Sequence, residues 1–305
     1  MIRPKCAIRS AFILGLTLLV LAAGGCGHRD GLTPSDEVAR TAGVPLMPLV
    51  TNPDFDRATA HRLLHSAAAQ QRAIRSLAER AERDGYVGWQ LDFEGLAPAD
   101  KLAYTRFVER LALRLHREHR LLSVAVVPRF SDVFPDTSRP GFHTGEWGAA
   151  YDYGALGRLA DFLVLMAYDQ HTPLTPPGPV AGYDWVKAAL DYAVARVPPS
   201  KLLLGVPLYG REWVQGAHGV TSHSLAFSDL RRYLDDPATQ RYWDDLYRTA
   251  WFRLQDGDSV RTAWFDDARS LREKLKLVDL YHLRGYAAWR LGVEDPAFWQ
   301  QSAAP

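Results

Sequence analysis

Two acids and an amide alternate along one short segment of the chain. The sequence VGWQLDFEG (87–95) places Gln90, Asp92 and Glu94 at every second position. Side chains of a strand alternate in direction, so these three would point to one side and share one pocket. Cleavage of a glycosidic bond needs an acid that protonates the leaving oxygen and a group that stabilises an oxocarbenium-like centre. Glu94 suits the first role, because a neighbouring like charge tends to raise the pKa of one carboxyl group in a pair.

An acid pair of this spacing is weak evidence by itself, since a solvated strand end explains most such pairs. The chain around it, however, alternates short apolar runs with amphipathic runs. The strand candidates are 44–50, 87–93, 121–127, 162–168, 202–208, 262–265 and 284–291. The helix candidates are 57–82, 100–119, 184–196 and 268–281. This alternation predicts parallel βαβ units in one globular domain.

Residues at the ends of the strand candidates favour a barrel over an open doubly wound sheet. A (β/α) barrel draws its active site from the C-terminal ends of several strands. Side chains capable of chemistry stand at such ends at Glu94, Tyr168, Tyr209 and Trp289. No glycine-rich phosphate loop follows a strand candidate, which argues against a nucleotide-binding sheet. We therefore predict an α/β fold of the TIM-type barrel class.

The N-terminal segment has the composition of an export signal. Three basic residues precede an uncharged apolar run (11–23) that is too short to span a bilayer comfortably. The run ends in LAAGGC (21–26), which resembles a bacterial lipobox with Cys26 as the lipidated residue, although Ala23 stands where Leu is usual. The alternative is an ordinary cleaved signal with an incidental cysteine.

These features divide the chain into three parts. Residues 1–26 are predicted to be the signal peptide with its lipobox-like end, 27–40 a polar tether, and 41–305 the barrel domain. The protein is then exported and held at the cell envelope by a lipid anchor, on the periplasmic or outer-membrane face, or else secreted. Cys6 would leave with the signal, so the mature chain would have neither a disulfide framework nor a thiolate metal site.

Composition excludes several other classes of function. A net charge of +1 gives no electrostatic sign of nucleic-acid binding, and 47% hydrophobic residues allow a full core. The ten histidines show no HExxH or comparable spacing, so no metal site is predicted. We expect a monomer that needs no cofactor.

The segment 87–95 resembles the D-G-x-D-x-D-x-E strand of glycoside hydrolase family 18, the chitinase-like barrels. Asp92 and Glu94 fall on the last two acids of that pattern. The resemblance continues in chain order at LMAYD (165–169), KLLLGVPLYGREW (201–213), TAWFDDARSLREK (262–274) and LRGYAAWRLGVEDPAFW (283–299). Together these segments cover most of residues 44–299, and they look closest to the peptidoglycan-directed, spore-lytic branch.

The resemblance implies a mechanism without an enzyme nucleophile. In this family the 2-acetamido carbonyl of the substrate attacks the anomeric carbon, which is an exception to the usual pair of catalytic carboxylates. Glu94 would be the general acid and later the base, and Asp92 would orient the acetamido group as it becomes an oxazolinium. Tyr168 would hydrogen-bond that group, and Trp289 would form an apolar floor beneath the sugar ring.

The chain departs from the family pattern in two ways. Val87 and Gln90 stand where the family's strand commonly carries Asp. Gln90 can hydrogen-bond Asp92 but cannot take up its proton, which implies a shifted pH optimum rather than lost activity.

The second departure concerns the barrel itself. The acid lies on the family's fourth strand, yet only the strand candidate 44–50 precedes it beyond the tether. The first two βα units are therefore predicted to be missing or altered. Either residues from 27 onward fill the gap, or the reading frame has lost a segment, or the barrel is incomplete and exposes strand edges.

Further candidates for substrate binding are Gln90, Asp169, Tyr209, Arg211 and Trp213. The resemblance implies that Asp169 hydrogen-bonds a sugar, with helix capping as the alternative. Tyr209 and Arg211 are candidates for lining the cleft. Trp213 follows a strand-end motif and is a candidate for stacking on a sugar ring, although most tryptophans belong to the core.

The leading hypothesis is a glycoside hydrolase that cleaves β-linked N-acetylhexosamine polymers, either peptidoglycan or a chitin-like polymer. Its partner would be a GlcNAc-containing polysaccharide. One alternative is a non-catalytic carbohydrate-binding barrel in the cell envelope. Another is a structural envelope lipoprotein that uses the barrel only as a scaffold. Retention of Glu94, Asp92, Tyr168 and Trp289 favours catalysis, whereas fold alone decides nothing.

Overall fold

The computed structural model describes residues 9–14, 18–22, 34–133 and 145–301. The chain divides into two compact units. The first unit comprises Met1–Met166, Asp191–Leu204 and Leu283–Ala287. The second unit comprises Ala167–Leu190, Gly205–His282 and Ala288–Pro305.

Strands and helices alternate through most of the chain. The strands are β1 (Arg9–Leu14), β2 (Leu18–Ala22), β3 (Leu49–Thr51), β4 (Gly88–Asp92), β5 (Leu121–Val126), β6 (Phe162–Leu165), β7 (Leu202–Pro207), β8 (Gly210–Gly216), β9 (Gly219–Leu225), β10 (Gln240–Asp244), β11 (Thr249–Asp256), β12 (Ser259–Phe265) and β13 (Gly285–Trp289). The α-helices are α1 (Pro34–Thr41), α2 (Arg57–Leu64), α3 (Ala67–Asp84), α4 (Lys101–His116), α5 (Tyr153–Leu159), α6 (Tyr183–Val194), α7 (Phe227–Leu234), α8 (Ala268–Leu280) and α9 (Ala297–Gln301).

The first unit contains most of the barrel sheet, whose strand order is β1-β13-β7-β6-β5-β4-β3-β2. Each neighbouring pair from β3 to β7 is parallel. Every residue of β4, β6 and β7 is buried, as expected of parallel strands covered on both faces. The predicted TIM-type barrel is confirmed.

A hairpin takes the place of two βα units. Strands β1 and β2 pair antiparallel with only three residues between them, and β2 reaches β3 through the parallel pair Ala22 and Leu49. The prediction that the first two βα units are altered is therefore confirmed. These strands lie within the segment predicted to be an export signal, so cleavage before Cys26 would remove both and leave one edge of β3 unpaired.

The part of the predicted tether that the structure describes is helical. Residues from 34 onward form α1, and Pro34 occupies its first position, where a proline ring suits helical geometry. The predicted helix 57–82 is likewise two helices. Ser66 starts the second of them, because its hydroxyl accepts a hydrogen bond from the Ala69 amide at 3.3 Å. Gly85 ends that helix in a left-handed conformation, with φ 66°.

The second unit contains an antiparallel sheet of order β10-β11-β12-β8-β9, which the sequence did not predict. The strand candidate 262–265 belongs to β12 of this sheet and not to a βαβ unit. Side chains of this sheet and of α7 form an apolar cluster, which consists of Leu225, Leu230, Ala250, Phe252, Leu254, Ala263 and Phe265. The motif 262–274 is largely structural. Asp266 and Lys274 form a fully buried ion pair, and Asp267 caps α8 through the Ser270 amide at 2.8 Å.

Within the described part of the chain, no helix combines the length and the apolar character that a membrane crossing requires.

Candidate active site

The acid pair lies at the C-terminal end of β4 in the first unit. Asp92 is the last residue of the strand and is 6% exposed, and Gln90, two residues earlier, is 5% exposed. Glu94 follows two residues after Asp92 and is partly buried. The position of the pair at the end of a barrel strand agrees with the prediction.

The main chain of Glu94 is clamped by the side chain of Asn52. The Asn52 amide group donates to the Glu94 carbonyl oxygen at 2.9 Å, and its oxygen accepts from the Glu94 amide at 2.9 Å. Asn52 follows the end of β3, just as Glu94 follows the end of β4, and is only 4% exposed. A buried amide that makes both bonds fixes the backbone from which the acid projects.

The residues on either side of Glu94 are held as well. The Tyr151 hydroxyl donates to the Phe93 carbonyl at 2.6 Å, and Arg57 Nε donates to the Gly95 carbonyl at 2.9 Å. Gly95 has φ +67°, and a Cβ there would lie 2.8 Å from the Phe55 carbonyl oxygen. The turn 93–95 therefore needs a glycine, and side chains from three other parts of the first unit hold it in place.

Two buried phenols stand close to the acids. Burial raises the pKa of Tyr151 well above its ordinary value, and the nearby phenol of Tyr104 and charges of Glu94 and Asp92 add to this shift. Burial also raises the pKa of Tyr104, with a further contribution from Asp92. Both phenols therefore stay protonated at neutral pH, and Tyr151 remains a hydrogen-bond donor.

Gln90 lies in a polar layer of the barrel interior. Its register partner on β5 is Ser123, which is completely buried. Neither the Gln90 Oε1 nor the Ser123 hydroxyl has a hydrogen-bond partner among the described residues. The hydrogen bond expected between Gln90 and Asp92 stays a prediction.

Asp169, Tyr209 and Arg211 come together in the second unit. The Tyr209 hydroxyl and Arg211 Nη2 both donate to Asp169 Oδ1, at 2.7 and 2.8 Å. Burial, followed by the charge of Asp169, raises the pKa of Tyr209. Asp169 thus binds these two side chains instead of capping a helix, and the buried Tyr209 and Arg211 orient Asp169.

The prediction that Trp213 stacks on a sugar ring is wrong. Its position on β8 turns the side chain into the second unit, where the residue is 2% exposed. The indole N–H donates to the Thr175 carbonyl at 3.0 Å. Both faces of the ring are therefore packed against protein, and Trp213 is a core residue.

Tyr168 and Trp289 are both partly exposed, which leaves part of each side chain free to contact a ligand. Trp289 is the last residue of β13, and its carbonyl accepts a hydrogen bond from the Leu208 amide at 2.6 Å. The Trp289–Arg290 peptide bond is cis. Cys26, the predicted lipidation site, lies outside the described residues.

Several residues escaped the sequence analysis. The sequence offers one indication for Asn52, which is a polar residue directly after a strand. Tyr151 had none, because its partner Phe93 is 58 positions away. His61 and His65 were not singled out either, although they lie one helical turn apart, and both contact Asp100.

The fold and the acid pair together define a TIM-type barrel with carboxylates at the end of an inner strand. The chain belongs to the glycosyl hydrolases family 18, whose family model matches residues 43–294.

Particular relatives are similar over most of this chain. It is 29% identical over 274 residues to the cortical fragment-lytic enzyme of Bacillus subtilis, covering 88% of this chain and 62% of that protein. The spore cortex-lytic enzyme SleL of Bacillus megaterium superposes with a TM-score of 0.77 at 28% identity, covering 90% of this chain and 62% of that one. A chitinase from Chromobacterium violaceum superposes with a TM-score of 0.80 at 29% identity, covering 97% and 90%. The chain thus spans about three fifths of the lytic enzymes it matches.

Proposed function

We propose that this protein is a glycoside hydrolase that cleaves β-linked N-acetylhexosamine polymers, with peptidoglycan glycan strands as the preferred substrate. The observation that carries this proposal is the pair Asp92 and Glu94 at the end of β4, with the main chain of Glu94 held by Asn52. A fixed acid beside a second, buried carboxylate suits a reaction that needs both proton transfer and charge stabilisation.

The first half of the reaction breaks the glycosidic bond. Glu94 donates its proton to the glycosidic oxygen while the 2-acetamido carbonyl oxygen of the substrate attacks the anomeric carbon. The bond from that carbon to the leaving oxygen breaks, and an oxazolinium forms on the substrate. The Asp92 carboxylate accepts the acetamido N–H and balances the positive charge.

The second half restores the enzyme. The Glu94 carboxylate takes a proton from a water molecule, and the resulting hydroxyl attacks the anomeric carbon from the side that the leaving group left. The oxazolinium ring opens to regenerate the acetamido group, so the sugar retains its configuration. Glu94 ends protonated and ready for the next cycle.

Two lines support the choice of substrate. The relatives named as cortical fragment-lytic and spore cortex-lytic enzymes align along most of this chain. The family resemblance implies a substrate with a 2-acetamido group, which peptidoglycan and chitin both provide. The roles of Tyr168 beside that group and of Trp289 beneath the ring remain predictions from the resemblance, as do sugar contacts by Asp169, Tyr209 and Arg211.

We extend the proposal to the cell envelope, where peptidoglycan is found. The basic residues, the apolar run and the lipobox-like end of residues 1–26 support export and a lipid anchor at Cys26.

The decisive experiment measures release of reducing ends from purified peptidoglycan and from chitin oligomers by the full chain. Glu94→Gln should lower kcat by about 100-fold or more, because it removes the transferable proton and keeps the shape. Glu79→Gln makes the same change on the exposed face of α3 and should leave kcat unaltered. Equal activity of Glu94→Gln and the wild type would refute the assignment of Glu94. Faster release of reducing ends from chitin oligomers than from peptidoglycan would make a chitin-like polymer the preferred substrate. A folded wild-type chain without activity on either polymer would favour the carbohydrate-binding alternative.

A further inference from the structure

Two histidines and an aspartate converge in the first unit, apart from the acid pair. His61 Nδ1 and His65 Nε2 each lie 2.8 Å from the same oxygen, Asp100 Oδ1. One ligand atom from each of the three residues lies within 4.8 Å of the others. We propose that these residues bind a divalent transition metal ion, of which zinc is the best match.

The two histidines are placed by α2. His61 lies in the last turn of the helix, and His65 is the residue that caps it, with its amide bonded to the His61 carbonyl at 3.0 Å. A separation of four residues puts both side chains on one face of the helix. Their ring centroids are 4.3 Å apart, and one nitrogen of each ring lies 2.8 Å from Asp100 Oδ1.

The behaviour of Asp100 is the second, independent observation. It occupies the N-cap position of α4, where an aspartate ordinarily accepts hydrogen bonds from the helix amides. The Asp100 side chain makes no such bond. The residue is fully buried, and its Oδ2 has no hydrogen-bond partner among the described residues. A buried carboxylate that forgoes capping and leaves one oxygen unsatisfied is costly unless a cation compensates it.

The donor set identifies the class of metal. Two imidazole nitrogens and one carboxylate oxygen suit zinc and its neighbours, whereas calcium and magnesium prefer oxygen ligands alone. Tetrahedral zinc with bonds of about 2.0–2.1 Å separates its ligand atoms by about 3.3 Å. The 2.8 Å distances from His61 Nδ1 and His65 Nε2 to Asp100 Oδ1 must therefore lengthen by about half an ångström when the ion binds. The histidine side chains are 55% and 49% exposed, which allows that adjustment and leaves room for water as the fourth ligand.

The ion would join the end of α2 to the start of α4. Asp100 lies six residues after Glu94, in the connection that leads from β4 to α4. The metal would therefore fix the C-terminal end of the segment 94–100, which begins at Glu94. Its role is structural, since none of its ligands is proposed to touch substrate.

The test is a calorimetric titration of the chelator-treated full chain with ZnCl2 at pH 7.5. We expect one equivalent of zinc to bind with a dissociation constant of about 1 μM or lower, and saturation to raise the unfolding temperature by about 5 °C. His61→Gln, His65→Gln and Asp100→Asn should each weaken zinc binding about tenfold or more. Cobalt(II) should bind at the same site and show visible absorption bands that zinc abolishes, while excess magnesium should not compete.

The matched control is His116→Gln. His116 also contacts a carboxylate, Asp161, at 2.9 Å, but this pair is not part of a three-ligand group among the described residues. Binding that is unchanged in this control and weakened in the ligand variants supports the site. No saturable binding, or equal affinity in the wild type and both folded histidine variants, would overturn it. Because His61 and His65 are half-exposed, their variants should fold, and they test the site even if Asp100→Asn does not fold.

Discussion

Substitution of Asn52 by alanine separates positioning of the acid from the acid itself. The change removes one donor and one acceptor, each 2.9 Å from a main-chain atom of Glu94, and leaves the Glu94 side chain intact. If the clamp sets the direction of the carboxyl group, the variant keeps its acid but presents it in a wider range of orientations.

The expected size of the effect follows from the two bonds. Each contributes about 0.5–1.5 kcal/mol net, and a buried polar group left without a partner costs about 1–3 kcal/mol. Water that enters the space of the lost side chain restores part of this, so we expect the free energy of unfolding to fall by about 2–4 kcal/mol. A displacement of the catalytic group by about 1 Å costs about 100-fold in rate. We therefore expect kcat to fall by roughly that factor with little change in KM, because the clamp acts on the main chain of Glu94.

The assay is reducing-end release at a temperature where the variant is fully folded, alongside thermal unfolding. Gln70→Ala is the matched control. Gln70 is also a buried amide, which donates to the Leu64 carbonyl at 2.6 Å and accepts from Arg110 at 3.0 Å, so its bonds lie outside the 93–95 turn. This control should lose similar stability and keep its kcat.

One result would refute the reasoning about the clamp. If Asn52→Ala and Gln70→Ala lose the same stability and both keep the wild-type kcat, the bonds of Asn52 stabilise the fold but do not position the acid. A fall in kcat that accompanies an equal rise in KM would also contradict it, since that pattern indicates lost binding of the substrate.

Two further predictions concern the tyrosines and the N-terminus. Burial raises the pKa of Tyr151, Tyr153 and Tyr209 in the folded protein. The stability that each protonated phenol contributes is therefore fully present below the pKa of about 10 that tyrosine has in the unfolded chain. It is lost as the pH rises from that value towards the raised pKa of the folded state. Alkaline titration at the tyrosinate absorption band should therefore show these phenols ionising only together with unfolding, and early ionisation of all 13 tyrosines would contradict their burial. Intact-mass analysis of the envelope fraction should show a chain that begins at a lipid-modified Cys26, and Cys26→Ser should abolish the lipid. A mature chain that retains residues 9–22 would instead assign that segment to the barrel alone.

The sequence predicts those parts of the fold in which a short segment shows its surroundings in its own pattern, such as a run of apolar residues that is buried throughout. Strands β5 to β7 are almost fully buried and almost entirely apolar, and the sequence predicts them, like β4, within a few residues. The acid pair was found because period-two alternation at a strand end is visible within nine residues, 87–95.

The parts that were missed depend on partners distant in sequence. Strands β9 and β10 are mostly exposed and polar, so they lack the apolar run that marked the barrel strands. The hairpin of β1 and β2 has the composition of a signal peptide, and only pairing with β3 makes it part of a sheet. Asn52 lies 42 positions from Glu94, and local pattern carries no information about that contact.

The clamped turn also limits how this protein can be redesigned. Engineers often change the specificity of barrel enzymes by exchanging the loops above the strands and leaving the barrel alone. Here the loop after β3 supplies Asn52 and the segment before α5 supplies Tyr151, and both hold the turn that carries Glu94. A graft that replaces either loop removes part of the support for the acid along with the old specificity. A successful exchange must keep these two residues in place, or rebuild their hydrogen bonds from the incoming loop.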